Sequence, residues 1–120
     1  MTKKHQNGRR KLNMKGPHRT AVLRNQMIHL ITFGCLKTTK TRAKAVQQQI
    51  EKLVTVAREG NDFNTIRRVK QALPYNMDAV RKLITEIAPK YVTRPGGYTR
   101  VISLGIRTSD TAPIARLEWV

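Results

Sequence analysis

Basic side chains of the kind that bind phosphate crowd residues 1–16. Lysine and arginine neutralise phosphates, and the imidazole and amide of His5 and Asn13 could reach sugars and base edges. The segment has no apolar periodicity, so it cannot bury enough surface to fold alone. We predict a basic RNA-binding arm over residues 1–16 and a single domain over residues 17–120. The bases of the arm are Lys3, Lys4, Arg9, Arg10, Lys11 and Lys15.

A second basic run lies where a short predicted strand passes into a helix. A helix N-terminus has free N–H groups and a partial positive charge, which suit phosphate. The same charge makes nearby lysine and arginine side chains unfavourable unless an anion offsets them. The alternative is an ordinary cap at Thr39 or Thr41 beside solvated lysines. The RNA contacts predicted in this run are Lys37, Thr38, Thr39, Lys40, Arg42 and Lys44.

A third set follows the last predicted helix, in the stretch RPGGYTRV. Adjacent glycines there favour positive φ or a close approach of the backbone. Alternation along a strand predicts that Tyr98, Arg100 and Ile102 share one face. We predict a structural turn that also brings Arg94, Gly96, Gly97, Tyr98 and Arg100 to RNA. The alternative is that Arg100 pairs with Glu118 across the sheet.

Catalysis and metal binding have little support in the sequence. His5, His18 and His29 are far apart, and none stands at metal-ligand spacing from Cys35, the single cysteine. Cys35 is better interpreted as a small buried apolar residue than as a nucleophile. We therefore expect no enzyme activity, no cofactor and no metal.

The charge distribution favours a polyanionic partner. The net charge is +17, from 24 Lys and Arg against 7 Asp and Glu. Half of the bases precede Glu51, the first acid in the chain. Such a charge repels itself in a compact state unless an anion neutralises it. The most apolar stretch, residues 27–33, is far shorter than the about 20 residues that span a bilayer, so we expect no membrane partner.

Apolar residues at helical spacing predict four helices. The first begins near Pro17 and ends at Gly34, and the fourth is stopped by Pro89. Strands are predicted over residues 35–38 and 98–106, and alternation near the C-terminus predicts a third strand. The order α-β-α-α-α-β-β predicts a two-layer α+β domain with a small mixed sheet and helices packed on one face.

Short motifs in a particular order carry a family resemblance over nearly the whole chain. They are Gly8-Arg9-Arg10-Lys11-Leu12-Asn13, His18-Arg19, Leu23-Arg24-Asn25, Lys37-Thr38-Thr39, Ala43-Lys44, Pro89-Lys90-Tyr91, Arg94, Gly96-Gly97-Tyr98-Thr99-Arg100 and Ala112-Pro113-Ile114-Ala115. With these motifs the chain resembles the bacterial-type large-subunit ribosomal protein seventeen family. That family usually has Leu-Pro after the threonine pair, where this chain has Lys40-Thr41.

The resemblance implies an α-β-α(3)-β(2) fold and a non-catalytic protein that binds and cross-braces large-subunit rRNA near the peptide exit. It adds His18, Arg19 and Arg24 to the predicted RNA contacts. It further implies neighbouring large-subunit proteins as partners, no homo-oligomer, and the cytoplasmic ribosome of a bacterium or an organellar ribosome. The alternative from another class is a DNA-binding regulator, in which the first helix and the helix start at residues 40–44 imitate a helix-turn-helix.

Overall fold

The computed structural model describes residues 15–60 and 62–120. Helices and strands follow one another in the predicted order α-β-α-α-α-β-β. Their bounds are α1 Gly16–Phe33, β1 Cys35–Thr39, α2 Lys40–Ala57, α3 Phe63–Ala72, α4 Met77–Lys82, β2 Thr99–Ile106 and β3 Pro113–Trp119.

The three strands form one sheet in the order β1-β3-β2. Both pairs are antiparallel, and Glu118 of β3 stands between Cys35 of β1 and Arg100 of β2. The sheet is therefore antiparallel throughout, and the expectation of a mixed sheet is wrong. The reason is connectivity, because a hairpin turn makes β3 run antiparallel to β2. The other edge of β3 pairs with β1, also in the antiparallel direction.

The central helix α2 organises the hydrophobic core. It packs on all three strands and on α1 and α3. Its apolar stripe includes Val46, Ile50 and Val54, and all three side chains are 0% exposed. Ala115 and Leu117 of β3 meet this stripe and are also fully buried. The helices thus cover one face of the sheet, which confirms the predicted two-layer α+β fold and leaves the other face open.

Local signals for helix ends act as expected. Pro17 lies in the first turn of α1, and Gly34 ends that helix with φ 83° and an N–H that donates to the Leu30 carbonyl over 2.9 Å. Thr39 caps α2, since its hydroxyl accepts from the N–H of Arg42 over 3.4 Å. Of the two candidate threonines, Thr39 is therefore the cap.

The fourth helical segment does not end at Pro89. After α4 the chain continues through a π-helical turn, Leu83–Ile87, and a 3-10 turn, Ala88–Tyr91. Pro89 lies in the first turn of that last segment, where its missing N–H costs no hydrogen bond. The continuation buries Tyr91, whose hydroxyl donates to the Val120 carbonyl over 2.9 Å.

Candidate nucleic-acid interface

A basic cleft opens where β1 passes into α2. Its volume is about 770 Å³. Three separate segments each supply a base: Lys37 comes from β1, Arg42 from the first turn of α2, and Arg107 from the turn between β2 and β3. The remaining lining residues are Thr38, Thr39, Thr41 and Ile114. Bases and hydroxyls on a concave surface suit a phosphate backbone.

The sequence around Thr39 explains why the chain forms this cleft. Thr39 has extended geometry, φ −66° and ψ 152°, so it ends the strand and caps the helix together. The first turn of α2 contains no acid, and the partial positive charge of the helix N-terminus adds to Lys37 and Arg42. Lys40 is exposed and Lys44 is partly buried. The cap interpretation is thus correct for Thr39, and the same geometry leaves the bases accessible.

Arg107 is a cleft residue that sequence reasoning missed. Its Nε and Nη2 donate to the two carboxylate oxygens of Asp110 over 3.0 and 3.2 Å. These bonds, with an N–H from Ala112, hold the pKa of Asp110 below its usual value. An arginine three residues before an aspartate in a hairpin turn was the available signal. Nothing local to the turn indicated that it would reach the N-terminus of α2.

The outer face of the sheet is a second basic surface. It carries Lys37, Arg100, Arg116 and Glu118, which lie on the side away from the helices. Glu118 accepts from Arg100 Nε over 2.8 Å and from Arg100 Nη2 over 2.5 Å, and its other oxygen lies 3.1 Å from Arg116 Nε. Arg100 is therefore the sheet partner of Glu118, although its side chain remains 59% exposed. Whether Arg100 also binds RNA stays a prediction.

The glycine turn ahead of β2 has the conformation that its sequence predicts. Gly96 has φ 153° and Gly97 has φ 65°, which confirms the expectation of positive φ. Arg94 braces the turn, because its Nη1 donates to the Gly97 carbonyl over 3.4 Å. The Arg94 guanidinium also lies 5.5 Å from the centre of the Tyr91 ring, and the side chain stays exposed.

Tyr98 belongs to the core, so its side chain is not at the surface where the predicted RNA contact would need it. The side chain is 1% exposed, and its hydroxyl lies 3.2 Å from the hydroxyl of Thr55. Tyr98 precedes β2, and the positive φ of Gly97 turns its side chain inward, so both Tyr98 and Thr99 are buried. Arg100 is exposed on the outer face. The prediction that Tyr98 and Arg100 share one face is therefore wrong.

Glu51 explains how this turn is held to the helix layer. Its carboxylate accepts from the N–H of Thr99 over 3.1 Å and from the Thr99 hydroxyl over 2.9 Å. Gln47, one turn earlier on α2, donates to the Thr99 carbonyl over 3.3 Å. The first acid in the chain therefore anchors the start of β2, which keeps Arg100 in register with Glu118.

The predicted contacts on α1 divide between surface and structure. Lys15 and His18 are exposed at the helix start, and Arg19 is partly buried. Arg24 donates from Nε to the Ala72 carbonyl over 3.2 Å, which ties α1 to the end of α3. The predicted contacts Lys3, Lys4, His5, Arg9, Arg10, Lys11 and Asn13 lie outside the described residues.

Metal and cysteine chemistry find no support in the described residues. Among residues 15–60 and 62–120, no three His, Cys, Asp or Glu side chains cluster as metal ligands. Cys35 is partly buried at the start of β1, instead of fully buried as expected, because the outer face on which it lies is uncovered. No helix in this part of the chain is long and apolar enough to cross a membrane.

The fold and its surfaces define a small α+β domain with a basic cleft and a basic outer sheet face. The DNA-binding alternative has no support, because β1 separates α1 from α2 and pairs with β3, whereas a helix-turn-helix joins its two helices by a turn.

Comparison with known protein families identifies the family to which this domain belongs. The chain belongs to the ribosomal protein L17 family, whose model matches residues 22–120. Two curated relatives are similar over nearly their full lengths. Large ribosomal subunit protein bL17 of Campylobacter lari is 44% identical over 117 residues, which cover 98% of both chains. The protein of the same name from Sulfurimonas denitrificans is 45% identical over 117 residues, which cover 98% of this chain and 99% of the relative.

Proposed function

We propose that this protein is a structural constituent of the large ribosomal subunit that binds large-subunit rRNA and braces separate rRNA segments. The family and the names of the relatives support a place in the large ribosomal subunit. The net charge of +17 supports an RNA partner, because phosphates offset the self-repulsion of the folded domain.

The observation that carries the RNA-binding role is the convergence of Lys37, Arg42 and Arg107 on one cleft. Lys37 and Arg42 flank the start of α2, and Arg107, paired with Asp110, comes from the distant turn between β2 and β3, so the three basic side chains meet beside hydroxyls and a helix N-terminus. A phosphate in the cleft receives charge-assisted hydrogen bonds from guanidinium groups. Asp110 keeps Arg107 pointing in a fixed direction, so less side-chain entropy is lost on binding.

The basic arm over residues 1–16 supplies the remaining affinity in this proposal. Its six lysine and arginine side chains bind phosphates along an RNA groove, and the domain that follows residue 16 fixes the C-terminal end of the arm. The exposed side chains of Lys15 and His18 continue this basic surface onto α1. Arg94 and Arg100 add charge at the glycine turn and on the outer face.

The proposed working place is the large subunit of a cytoplasmic bacterial ribosome, near the peptide exit. The bacterial origin of the relatives supports the bacterial ribosome. The proposal includes neighbouring large-subunit proteins as further partners and a single copy of this chain without homo-oligomer contacts. The role is structural, so we propose no catalytic activity.

Binding of the full chain to deproteinised large-subunit rRNA across a salt series tests this function. If roughly six to ten phosphates are neutralised, affinity falls by about 10³–10⁵ between about 50 and 200 mM salt. Lys37→Ala with Arg42→Ala lowers the slope of log affinity against log salt by up to about two. Arg81→Ala is the matched control, because Arg81 is exposed but paired with Asp78. A slope near zero, or an equal loss with Arg81→Ala, rules out the proposed contact.

A further inference from the structure

The surface of α3 carries exposed aromatic and basic side chains that none of the sites described above uses. Phe63, Arg67 and Lys70 stand at i, i+4 and i+7, so they share one side of the helix. All three are exposed, and Phe63 is 77% exposed. Just past the helix end, Tyr75 is 85% exposed. We call these four residues the α3 surface.

Exposed aromatic rings that accompany basic side chains offer faces on which unpaired bases stack. Elsewhere in the domain, Tyr98 and Trp119 each pack against Tyr91, with ring centres 5.2 and 6.2 Å from its centre, whereas Phe33 is 70% exposed. Phe63 and Tyr75 have no such cover, although burying either ring would stabilise a free domain.

The charge around these rings favours RNA over a protein partner. No acid lies between Asp62 and Asp78 in the sequence. Asp62 is occupied by the N–H of Thr65 at 2.8 Å, and Asp78 pairs with Arg81 at 3.2 Å. Lysine is depleted in protein interfaces, whereas lysine and arginine side chains that accompany exposed aromatic rings are typical of surfaces that bind unpaired nucleotides.

Arg24 completes the surface by two contacts. Its guanidinium lies 5.7 Å from the centre of the Tyr75 ring, which forms a cation–π pair. Its Nε also donates to the carbonyl of Ala72 over 3.2 Å, so it offsets the partial negative charge at the end of α3. The pair holds the Tyr75 ring in place and removes a charge that would repel phosphate.

We infer that the α3 surface is a separate RNA contact, in which Tyr75 stacks on an unpaired base and Arg67 and Lys70 bind the adjoining phosphates. This inference rests on the proposed rRNA-binding function and extends it. The α3 surface shares no residue with the basic cleft, which is lined by β1, the start of α2, the turn between β2 and β3, and Ile114. One domain therefore contacts two rRNA segments.

The test compares variants of the full chain on deproteinised large-subunit rRNA by affinity and by nucleotide protection. We expect Tyr75→Leu to weaken binding about tenfold, at the low end for base stacking, while Tyr75→Phe keeps the parent affinity. Arg67→Ala with Lys70→Ala lowers the salt slope by up to about two. Arg68→Ala is the control, because Arg68 is exposed on α3 but points away from the side that Phe63, Arg67 and Lys70 share. The α3 variants lose protection of one rRNA segment, and the cleft variants at Lys37 and Arg42 lose another.

The outcomes separate the two proposals. If α3 variants keep parent affinity and protection while the cleft variants lose both, the α3 contact is wrong and the proposed function stands. If α3 variants bind rRNA normally but enter subunits poorly in the presence of the other subunit proteins, the surface binds a protein and the inference is overturned. If neither set changes rRNA binding, the proposed function fails as well. Thermal unfolding of each variant checks that the domain remains folded.

Discussion

Replacing Glu118 with glutamine separates the folding role of the outer face from its RNA role. The carboxylate pairs with Arg100 and Arg116, and its side chain is 17% exposed against 59% and 49% for the two arginines. Glutamine keeps the shape and an acceptor oxygen but removes the negative charge. Stability and RNA affinity should then change in opposite directions.

The magnitude for stability follows from the exposure of the arginines. Partly exposed ion pairs contribute about 0.2–1 kcal/mol each, so two pairs on one carboxylate contribute at most about 2 kcal/mol. Because glutamine retains a hydrogen bond, we expect Glu118→Gln to lower the free energy of unfolding by about 1 kcal/mol, or a Tm shift of about 4 °C. Arg100→Ala removes one of the two pairs, and we expect a loss of about 0.5 kcal/mol.

The expected effect on RNA binding has the opposite sign. A unit charge about 7 Å from a phosphate contributes roughly 0.6 kcal/mol in a water-like dielectric, which is about threefold in affinity. Glu118→Gln should therefore tighten rRNA binding about threefold if the outer face contacts phosphate. Arg100→Ala should weaken it by a similar factor, because a guanidinium donor is lost.

Urea unfolding and rRNA binding at one fixed salt concentration measure both effects in Arg100→Ala, Glu118→Gln and the double variant. Glu86→Gln is the control, since Glu86 is an exposed acid outside the sheet. Equal tightening by Glu86→Gln and Glu118→Gln would mean that only net charge matters. If Arg100→Ala unfolds the domain and the folded fraction binds RNA unchanged, Arg100 is structural and its predicted RNA contact is wrong.

Three further predictions concern the turn, the arm and acid stability. Gly97→Val should lower the free energy of unfolding in urea by about 1–3 kcal/mol, because a β-branched residue is strained at φ 65° although an added Cβ meets nothing within 4 Å. Gly16→Ala is the control, since it has open space around it and should leave the free energy of unfolding unchanged. A Gly97→Val variant of parent stability would refute the need for glycine. Deleting residues 1–14 should leave Tm unchanged but weaken rRNA binding, and a large drop in Tm would make the arm part of the core. The N–H of Thr65 lowers the pKa of Asp62 from 3.8, so its contribution to stability is present above that pH and is lost as pH falls through the lowered value; Asp62→Asn should remove this part of the pH dependence between about pH 5 and 2.

Features that depend on near neighbours in the chain were predictable. The apolar stripe of α2, the end of α1 at Gly34 and the positive φ of Gly97 all follow from spacing or residue type within a few positions. The absence of acids before Glu51 likewise predicted a polyanion partner without any structure. These signals are local or compositional, so packing changes them little.

Features that depend on which elements meet were not predictable. Alternation predicts that a strand has two faces, but the pairing of β3 with both other strands made the sheet antiparallel. The same limit applies to Tyr98, whose buried hydroxyl lies beside that of Thr55, a residue 43 positions earlier.

The candidate site divides in the same way between sequence and tertiary structure. Amino-acid types and spacing determined that Lys37 and Arg42 flank a helix start, because those residues lie within one turn of its cap. Only tertiary structure brought Arg107 into the same cleft, because the hairpin must fold back over β1. Only tertiary structure joined Arg24 to Ala72, 48 positions away, and so positioned the Tyr75 ring. Such contacts form when the hydrophobic core draws distant segments together, and a local sequence pattern does not specify which segments those are.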